Sequence, residues 1–152
     1  MISKLDHTSV ETAEHIRAVF QLSYAVEAKL LKAENFPPLK RKLNEFVASE
    51  TIFYGYRKTE FLAAVIEIKE RDNSIHIQSL VVDPAYFRKG LASELIQYVL
   101  QNHPSEIVTV ETGLANEPAK QLYRSFGFTD TKEWDTDHGV RKIAFELKRK
   151  SS

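Results

Sequence analysis

The stretch "SLVVDPAYFRKGLASELIQYVL", residues 79–100, joins an apolar, strand-like run to a helical pattern through a short basic turn. The run ends at Asp83-Pro84, and apolar residues at helical spacing begin just after Gly90. Arg88 and Lys89 lie in the turn between them. A strand that leads through a turn into a helix predicts part of an α/β fold.

The turn before this helix is predicted to bind an anion. A helix N-terminus has backbone N–H groups without intrahelical partners and carries a partial positive charge. Gly90 lets the backbone approach a ligand closely, Ala92 adds little bulk, and Arg88 and Lys89 add charge. The usual nucleotide-binding patterns are absent. A basic turn on a solvated surface is the alternative interpretation of these residues.

The composition of the chain excludes several classes of function. Its 152 residues contain 21 Lys plus Arg and 21 Asp plus Glu, so no overall charge favours nucleic acid or an acidic membrane. Without cysteine there is no disulfide, thiolate metal site or thiol nucleophile. No apolar run approaches the ~20 residues of a membrane span, and no signal core is present near Met1. We expect a cytoplasmic protein.

The pattern along the chain predicts a single mixed α/β domain over residues 1–152, because no linker, repeat or low-complexity segment interrupts it. Pro37 and Pro38 end the first helical pattern. The predicted order is helix (10–32), a second helix after the prolines, three strands (51–83), helix (91–102), strand (106–113), helix (116–126) and two strands (128–134 and 140–147).

A second motif, "NEPAKQLYRSFGF" at residues 116–128, makes the sequence resemble a known family. It matches N-x-x-A-x-x-L-Y-x-x-x-G-F, a pattern of the GNAT superfamily of N-acetyltransferases. The family's phosphate motif, [Q/R]-x-x-G-x-[G/A], matches at Gly90 and Ala92, whereas Phe87 stands where the family has Gln or Arg. The resemblance covers residues 50–148. Two motifs in the correct order are stronger evidence than either alone.

The resemblance implies a twisted, mostly antiparallel mixed sheet of about six to seven strands flanked by helices and splayed between strands 4 and 5. Acetyl-CoA would lie in this opening as cosubstrate, with no metal. Asn116 would cap its helix and contact the pantetheine arm. The other implied cofactor-binding residues are Leu80, Val81 and Val82 for the pantetheine arm, and Arg88, Lys89, Gly90, Leu91, Ala92 and Ser93 for the pyrophosphate.

The resemblance also implies direct acetyl transfer to a primary amine of a small molecule or a peptide N-terminus. Tyr123 would contact the CoA sulfur and act as general acid, the alternative being a packing tyrosine. Glu111 is the preferred base, because it precedes Asn116 by the spacing of the family's ribosomal-protein N-terminal acetyltransferases. We expect partial burial to raise its pKa; an exposed strand-end glutamate is the alternative. His76 is the rival base.

The amine acceptor is expected to enter beside the first helices and the last strands. Aromatic and acidic side chains there would suit a cationic amine, and they are Tyr24, Glu27, Phe36, Phe53, Tyr54, Trp134 and Asp135. A non-catalytic module that binds acetyl-CoA or CoA is the main alternative function, and a plain phosphate or nucleotide binder is a third. Homodimers are common in the family, while no nucleic acid or membrane partner is expected.

Overall fold

The computed structural model describes residues 1–150, which form one seven-stranded sheet with helices on both faces. The strands follow the spatial order β1-β2-β3-β4-β5-β7-β6. The strands are β1 (Ile2–Lys4), β2 (Ile52–Lys58), β3 (Phe61–Arg71), β4 (Ser74–Val82), β5 (Ile107–Gly113), β6 (Thr129–Asp135) and β7 (Arg141–Lys148). The α-helices are α1 (Val10–Leu31), α2 (Leu43–Val47), α3 (Leu91–Asn102) and α4 (Glu117–Ser125).

The sheet splits between β4 and β5. All neighbouring strands pair antiparallel except these two, which pair in parallel only between Ser74–Ile77 and Ile107–Val110. Beyond that point β4 continues along β3 to Val82, and β5 continues along β7 to Gly113. The predicted fold class, including the splay between strands 4 and 5, is confirmed.

Two hydrophobic cores cover the two faces of the sheet. Side chains alternate along β3, so Val65 packs in the core beneath α1, whereas Ala64 and Ile66 pack in the core beneath α3. The buried α1 residues are Ala13, Ile16, Val19 and Phe20, and those of α3 are Leu91, Leu95, Ile96 and Val99. Both sets follow helical spacing, and each therefore turns one stripe of its helix toward the sheet.

Two elements differ from the sequence-based prediction. Strand β1 was missed because its three residues show no alternation, and it forms by pairing with β2. The predicted second helix begins with a 3₁₀ turn, Pro37–Lys40, and its α-helical part, α2, has only five residues. A helix this short is not stable alone, and Phe46, which is buried beneath α1, anchors it. The single-domain assignment stays a prediction.

No helix among residues 1–150 combines the length and apolarity needed to cross a membrane.

A buried ion pair ties the segment before α2 to the centre of the sheet. Glu67 on β3 is fully buried and accepts two hydrogen bonds from the Arg41 guanidinium, at 2.7 and 2.9 Å. Thr51 and Ser79 donate further hydrogen bonds to the same carboxylate, at 2.6 and 2.9 Å. The guanidinium also lies 4.3 Å from the centre of the Phe46 ring. Both oxygens of the buried charge are therefore satisfied.

Replacing Arg41 with methionine should lower the free energy of unfolding by about 3 kcal/mol, because the Glu67 charge would stay buried without its cation. Urea denaturation measures this loss. Arg17→Met on the exposed face of α1 is the matched control and should change stability by less than about 0.5 kcal/mol. A loss no larger for Arg41→Met than for the control would contradict the structural role of the pair.

Candidate functional site in the split of the sheet

A cavity of about 560 Å³ lies where β4 and β5 diverge. The sheet strands form its floor, α1 and the segment around Pro37 form one side, and the start of α4 and the segment before β7 form the other. Side chains of both charges and several aromatic rings line it. Such a concave space with a few convergent polar groups is typical of a ligand site.

The edge of β4 presents backbone donors to the split. The Asp83 N–H donates to the Ala63 carbonyl of β3, so the preceding N–H, that of Val82, points the opposite way. The Val82 N–H donates to the Ser23 hydroxyl of α1 at 3.3 Å. By the same alternation the Leu80 N–H faces the split, whereas the backbone of Val81 faces β3. Of the three residues predicted to hold pantetheine, Leu80 and Val82 therefore offer donors.

The turn between β4 and α3 is open and rich in unpaired N–H groups. Gly90 has φ +75°, and a Cβ built on it would meet no atom within 4 Å. The N–H groups of Leu91, Ala92 and Ser93 form the first turn of α3, where no intrahelical acceptor exists. The side chain of Leu91 is buried in the core, so only its backbone faces outward.

The side chains of this turn are exposed. Arg88, with φ +63°, and Lys89 form no ion pair within the described part of the chain. Phe87, which replaces the polar residue of the family motif, is 39% exposed. Two exposed cations beside unpaired backbone donors create a local positive potential on a chain whose charges balance overall.

Asn116 connects α4 to α1. Its Oδ1 accepts a hydrogen bond from the Ala119 N–H at 3.2 Å, which confirms the predicted N-cap. Its Nδ2 donates to Glu27 Oε1 at 2.9 Å. Because Oδ1 is committed to the cap, the amide can present only Nδ2 to Glu27, and the orientation of the side chain is fixed.

Glu27 brings a carboxylate into the cavity from α1. Its Oε1 also accepts a hydrogen bond from the Thr112 hydroxyl at 3.4 Å. Its Oε2 accepts none from residues 1–150, and no buried side-chain oxygen there lacks a partner, so Oε2 is open to the cavity. Desolvation raises the pKa of Glu27, while its two hydrogen bonds and the Lys142 charge partly oppose this effect.

Tyr123 on α4 lines the cavity and is 5% exposed. Its ring packs 5.8 Å from both Phe128 and Phe145, centre to centre. Burial raises the pKa of Tyr123 well above its usual range, and Tyr24 and Glu27 raise it further. The hydroxyl therefore stays protonated at neutral pH and can donate a proton or a hydrogen bond. The ring also packs as a core residue, so the two interpretations of Tyr123 are compatible.

Glu111 lies nearer to the solvent than an apolar pocket would place it. Its side chain is 38% exposed and forms an ion pair with Lys142 at 2.6 Å. Alternation along β5 buries Val108 and Val110 on the other face. Lys142 lies diagonally across from Glu111 on β7, where a long side chain can reach it. Glu111 does line the cavity, at its solvent side.

His76, the rival base, also lines the cavity. Its Nδ1 lies 2.8 Å from the Thr109 hydroxyl on β5. Desolvation lowers the pKa of His76, the charges of Lys142 and Arg71 lower it further, and Glu111 raises it. The imidazole is therefore neutral at pH 7 and able to accept a proton.

The structure brings only part of the predicted acceptor lining together. Tyr24, Glu27 and Phe36 line the cavity. Phe53 is buried in the core, and the Tyr54 hydroxyl bonds to His103 at 2.8 Å. On β6, Trp134 lies 5.0 Å from the Lys132 ammonium and Asp135 pairs with Arg141 at 2.9 Å, both away from the cavity. The lining residues that sequence reasoning missed include Lys40, Arg41 and His138, which no motif marks.

Among residues 1–150, no three histidine, aspartate or glutamate side chains cluster as metal ligands would.

Comparison with known proteins identifies the family. The family model of the acetyltransferase (GNAT) domain matches residues 23–149. The UPF0157 protein YqkA of Bacillus subtilis is 34% identical over 148 residues, 97% of this chain. The chain spans 43% of the length of that relative.

Solved structures share the fold. The ribosomal-protein-S18-alanine N-acetyltransferase of Escherichia coli superposes with a TM-score of 0.79 at 19% identity, covering 100% of this chain and 95% of that one. The PaiA N-acetyltransferase of Thermoplasma acidophilum, solved in complex with coenzyme A, superposes with a TM-score of 0.69 at 22% identity, covering 95% and 96%. Identities this low support similarity of fold alone.

The open split, the helix N-terminus beside it and the domain match together define the class of this protein. The chain belongs to the GNAT acetyltransferase family. The family predicted from the two motifs is confirmed.

Glu27→Gln should raise the melting temperature at pH 7 by about 2–4 °C, because ionising a carboxyl with a raised pKa opposes folding. This cost is small near pH 4, where the carboxyl is largely protonated in both states. It grows as the pH rises from the unfolded-state pKa toward the raised folded pKa and is complete above the latter. The side-chain oxygen of the glutamine can still accept the hydrogen bond from Asn116 Nδ2. Thermal unfolding at both pH values checks the prediction, with Glu14→Gln on the exposed side of α1 as the control. A lower melting temperature at pH 7 would count against it.

Proposed function

We propose that this protein transfers an acetyl group from acetyl-CoA to a primary amine, either of a small molecule or of a peptide N-terminus. The single observation that carries the proposal is the split of the sheet, whose β4 edge leads to the open N-terminus of α3. The Val82 and Leu80 N–H groups suit a pantetheine arm, and the first turn of α3 suits a pyrophosphate. Arg88 and Lys89 add charge beside the same turn.

The residues of the cavity supply the groups that acetyl transfer needs. An acceptor amine enters as ammonium and gives one proton to a general base. The neutral nitrogen attacks the thioester carbon, a C–N bond forms, and the C–S bond breaks. The departing thiolate takes a proton from the Tyr123 hydroxyl, and the second proton of the nitrogen restores that hydroxyl. The products are an amide and CoA thiol, with one proton released.

Three groups that line the cavity can serve as the base. Glu111 is the one that the sequence indicates, although its ion pair with Lys142 occupies one oxygen. His76 is neutral and lies on β4. Glu27, with one oxygen open to the cavity, is the candidate that structure adds.

The proposal includes no metal. It also includes no nucleic acid partner, in keeping with the balance of 21 basic and 21 acidic residues. A homodimer is compatible with it, since β6 leaves one edge of the sheet unpaired among the described residues. Cytoplasmic localisation is part of the same proposal.

Acetyl-CoA and CoA should each raise the melting temperature, whereas ATP should not. At a hundredfold excess over the dissociation constant, a ligand adds about 2.7 kcal/mol, which corresponds to about 5–10 °C. Gly90→Ala is the matched variant: its φ of +75° costs an alanine about 1 kcal/mol, and its Cβ would enter the open space of the turn. We expect it to fold and to show a smaller CoA shift. Equal shifts with ATP and CoA would indicate a general phosphate binder instead.

Tyr123→Phe should bind acetyl-CoA as the wild type does and lose turnover by about 10²-fold or more, because the thiolate would lose its proton donor. Release of free CoA thiol measures turnover. Tyr98→Phe, on α3 and outside the cavity, is the matched control and should keep full activity. Full turnover in Tyr123→Phe would remove this hydroxyl from the mechanism. Cofactor binding without turnover of any amine by the wild type would favour a non-catalytic module.

A further inference from the structure

We propose that Glu27 binds the ammonium group of the acceptor and takes its first proton, and that the acceptor is a small primary monoamine with an apolar body. This inference rests on the proposed acetyl transfer and assigns its substrate class. Two features of the cavity carry it: one partly buried carboxylate that has no cationic partner within residues 1–150, and a continuous wall of aromatic rings beside it.

Glu27 is the partly buried carboxylate of the cavity that has no cationic partner among residues 1–150. Three glutamates line the cavity. Glu111 is paired with the Lys142 ammonium. Glu45, on α2, is exposed to solvent, and its Oε1 accepts a hydrogen bond from the Lys42 backbone N–H at 3.1 Å. Glu27 accepts hydrogen bonds only from neutral donors and forms no ion pair within residues 1–150. A ligand cation is the group that would best stabilise a partly desolvated carboxylate of this kind.

The free oxygen of Glu27 is held in one orientation. Asn116 and Thr112 both bond to Oε1, which leaves Oε2 for the ligand. Asn116 is itself held by the cap of α4, and Tyr123 lies on the same helix about two turns further along. Tyr123 is also near enough to Glu27 for the carboxylate to raise its pKa. One helix therefore positions both the ammonium-binding group and the proton donor.

The rings beside Glu27 suit an apolar body. Centre-to-centre distances are 5.7 Å from Phe20 to Tyr24, 5.9 Å from Tyr24 to Phe36, and 6.2 Å from Phe36 to His138. All four rings line the cavity, and Tyr24 lies one helical turn before Glu27. An ammonium at Oε2 would thus have its carbon skeleton against this wall, where burial of apolar surface and cation–π contact both favour binding.

The charges of the cavity argue against a second ammonium. Lys40 and Arg41 line the same side as the rings, and Arg41 is already paired with Glu67. Of the other two lining glutamates, Glu111 is paired with Lys142 and Glu45 is exposed to solvent. Among the described residues there is therefore no second partly buried, unpaired carboxylate in the cavity to hold the second cation of a polyamine or an aminoglycoside. A peptide would need backbone hydrogen-bond partners that a wall of rings does not offer. The chemistry therefore favours one ammonium on an apolar body.

The proton transfer is consistent with the surroundings of Glu27. The groups facing it are Tyr24 from α1, Thr112 from β5, Asn116 and Tyr123 from α4, and Lys142 from β7. Desolvation outweighs the hydrogen bonds and Lys142, so this carboxylate holds a proton more readily than an exposed glutamate does. The ammonium gives one proton to Oε2, and the neutral nitrogen is then free to attack the thioester carbon.

The test uses the whole chain with acetyl-CoA and three acceptor probes: 2-phenylethylamine, spermidine and an alanyl dipeptide. Released thiol gives kcat/KM for each. We expect 2-phenylethylamine to exceed the others by about tenfold or more, and Glu27→Gln to lower its kcat/KM by about 10²-fold. Glu14→Gln, on the exposed side of α1, is the matched control. The thermal shift by 2-phenylethylamine with CoA present should disappear in Glu27→Gln, while the shift by acetyl-CoA alone should persist.

The other outcomes would contradict, in turn, the role of Glu27, the acceptor class and the proposed function. Equal kcat/KM in Glu27→Gln and wild type, or a loss in Glu111→Gln alone, would overturn the role of Glu27. Preference for spermidine or the dipeptide, or binding of acetyl-CoA with no probe acetylated, would overturn the acceptor class. Absence of any acetyl-CoA shift in the wild type would instead remove the proposed function itself, and the two failures are thereby distinguished.

Discussion

The short parallel pairing of β4 with β5 is the constraint on which the rest of this structure depends. Only four residues of each strand pair, and each then follows a different antiparallel neighbour. The β4 edge is left with backbone donors that need other partners, because a strand edge inside a domain cannot stay unsatisfied. The same divergence opens the cavity between the strands, to which α1 contributes side chains from one side and α4 from the other.

Features decided by local backbone geometry could be predicted from the sequence. Gly90 occupies a left-handed position directly before a helix, and Asn116 caps a helix that begins at the next residue. Each depends on a few neighbouring residues, so a short motif is enough to indicate it. The apolar periodicity of α1 and α3 likewise predicted which stripes face the sheet. The splay between the strands followed from the family resemblance rather than from any periodicity.

Features decided by contacts between distant segments could not be predicted. Glu27 and Asn116 are 89 positions apart, and nothing near either residue indicates that they bond. Glu111 was expected to be partly buried from the pattern of its own strand, but its surroundings depend on its place at the solvent side of the cavity and on Lys142 of another strand. Composition also could not separate rings that line the cavity, such as Phe36, from rings that fill the core, such as Phe53.

The hydrogen bond from the Val82 N–H to the Ser23 hydroxyl affects how much free energy a ligand gains by binding at the β4 edge. Since that donor is already satisfied, any ligand carbonyl that pairs with it replaces one hydrogen bond by another of similar strength, and the net gain is small. Affinity must then come from groups that are unsatisfied when the cleft is empty, above all the first turn of α3. Without a ligand the hydrogen bond of the strand edge is thus already made, and discrimination among ligands falls to the end of the cleft at the N-terminus of α3.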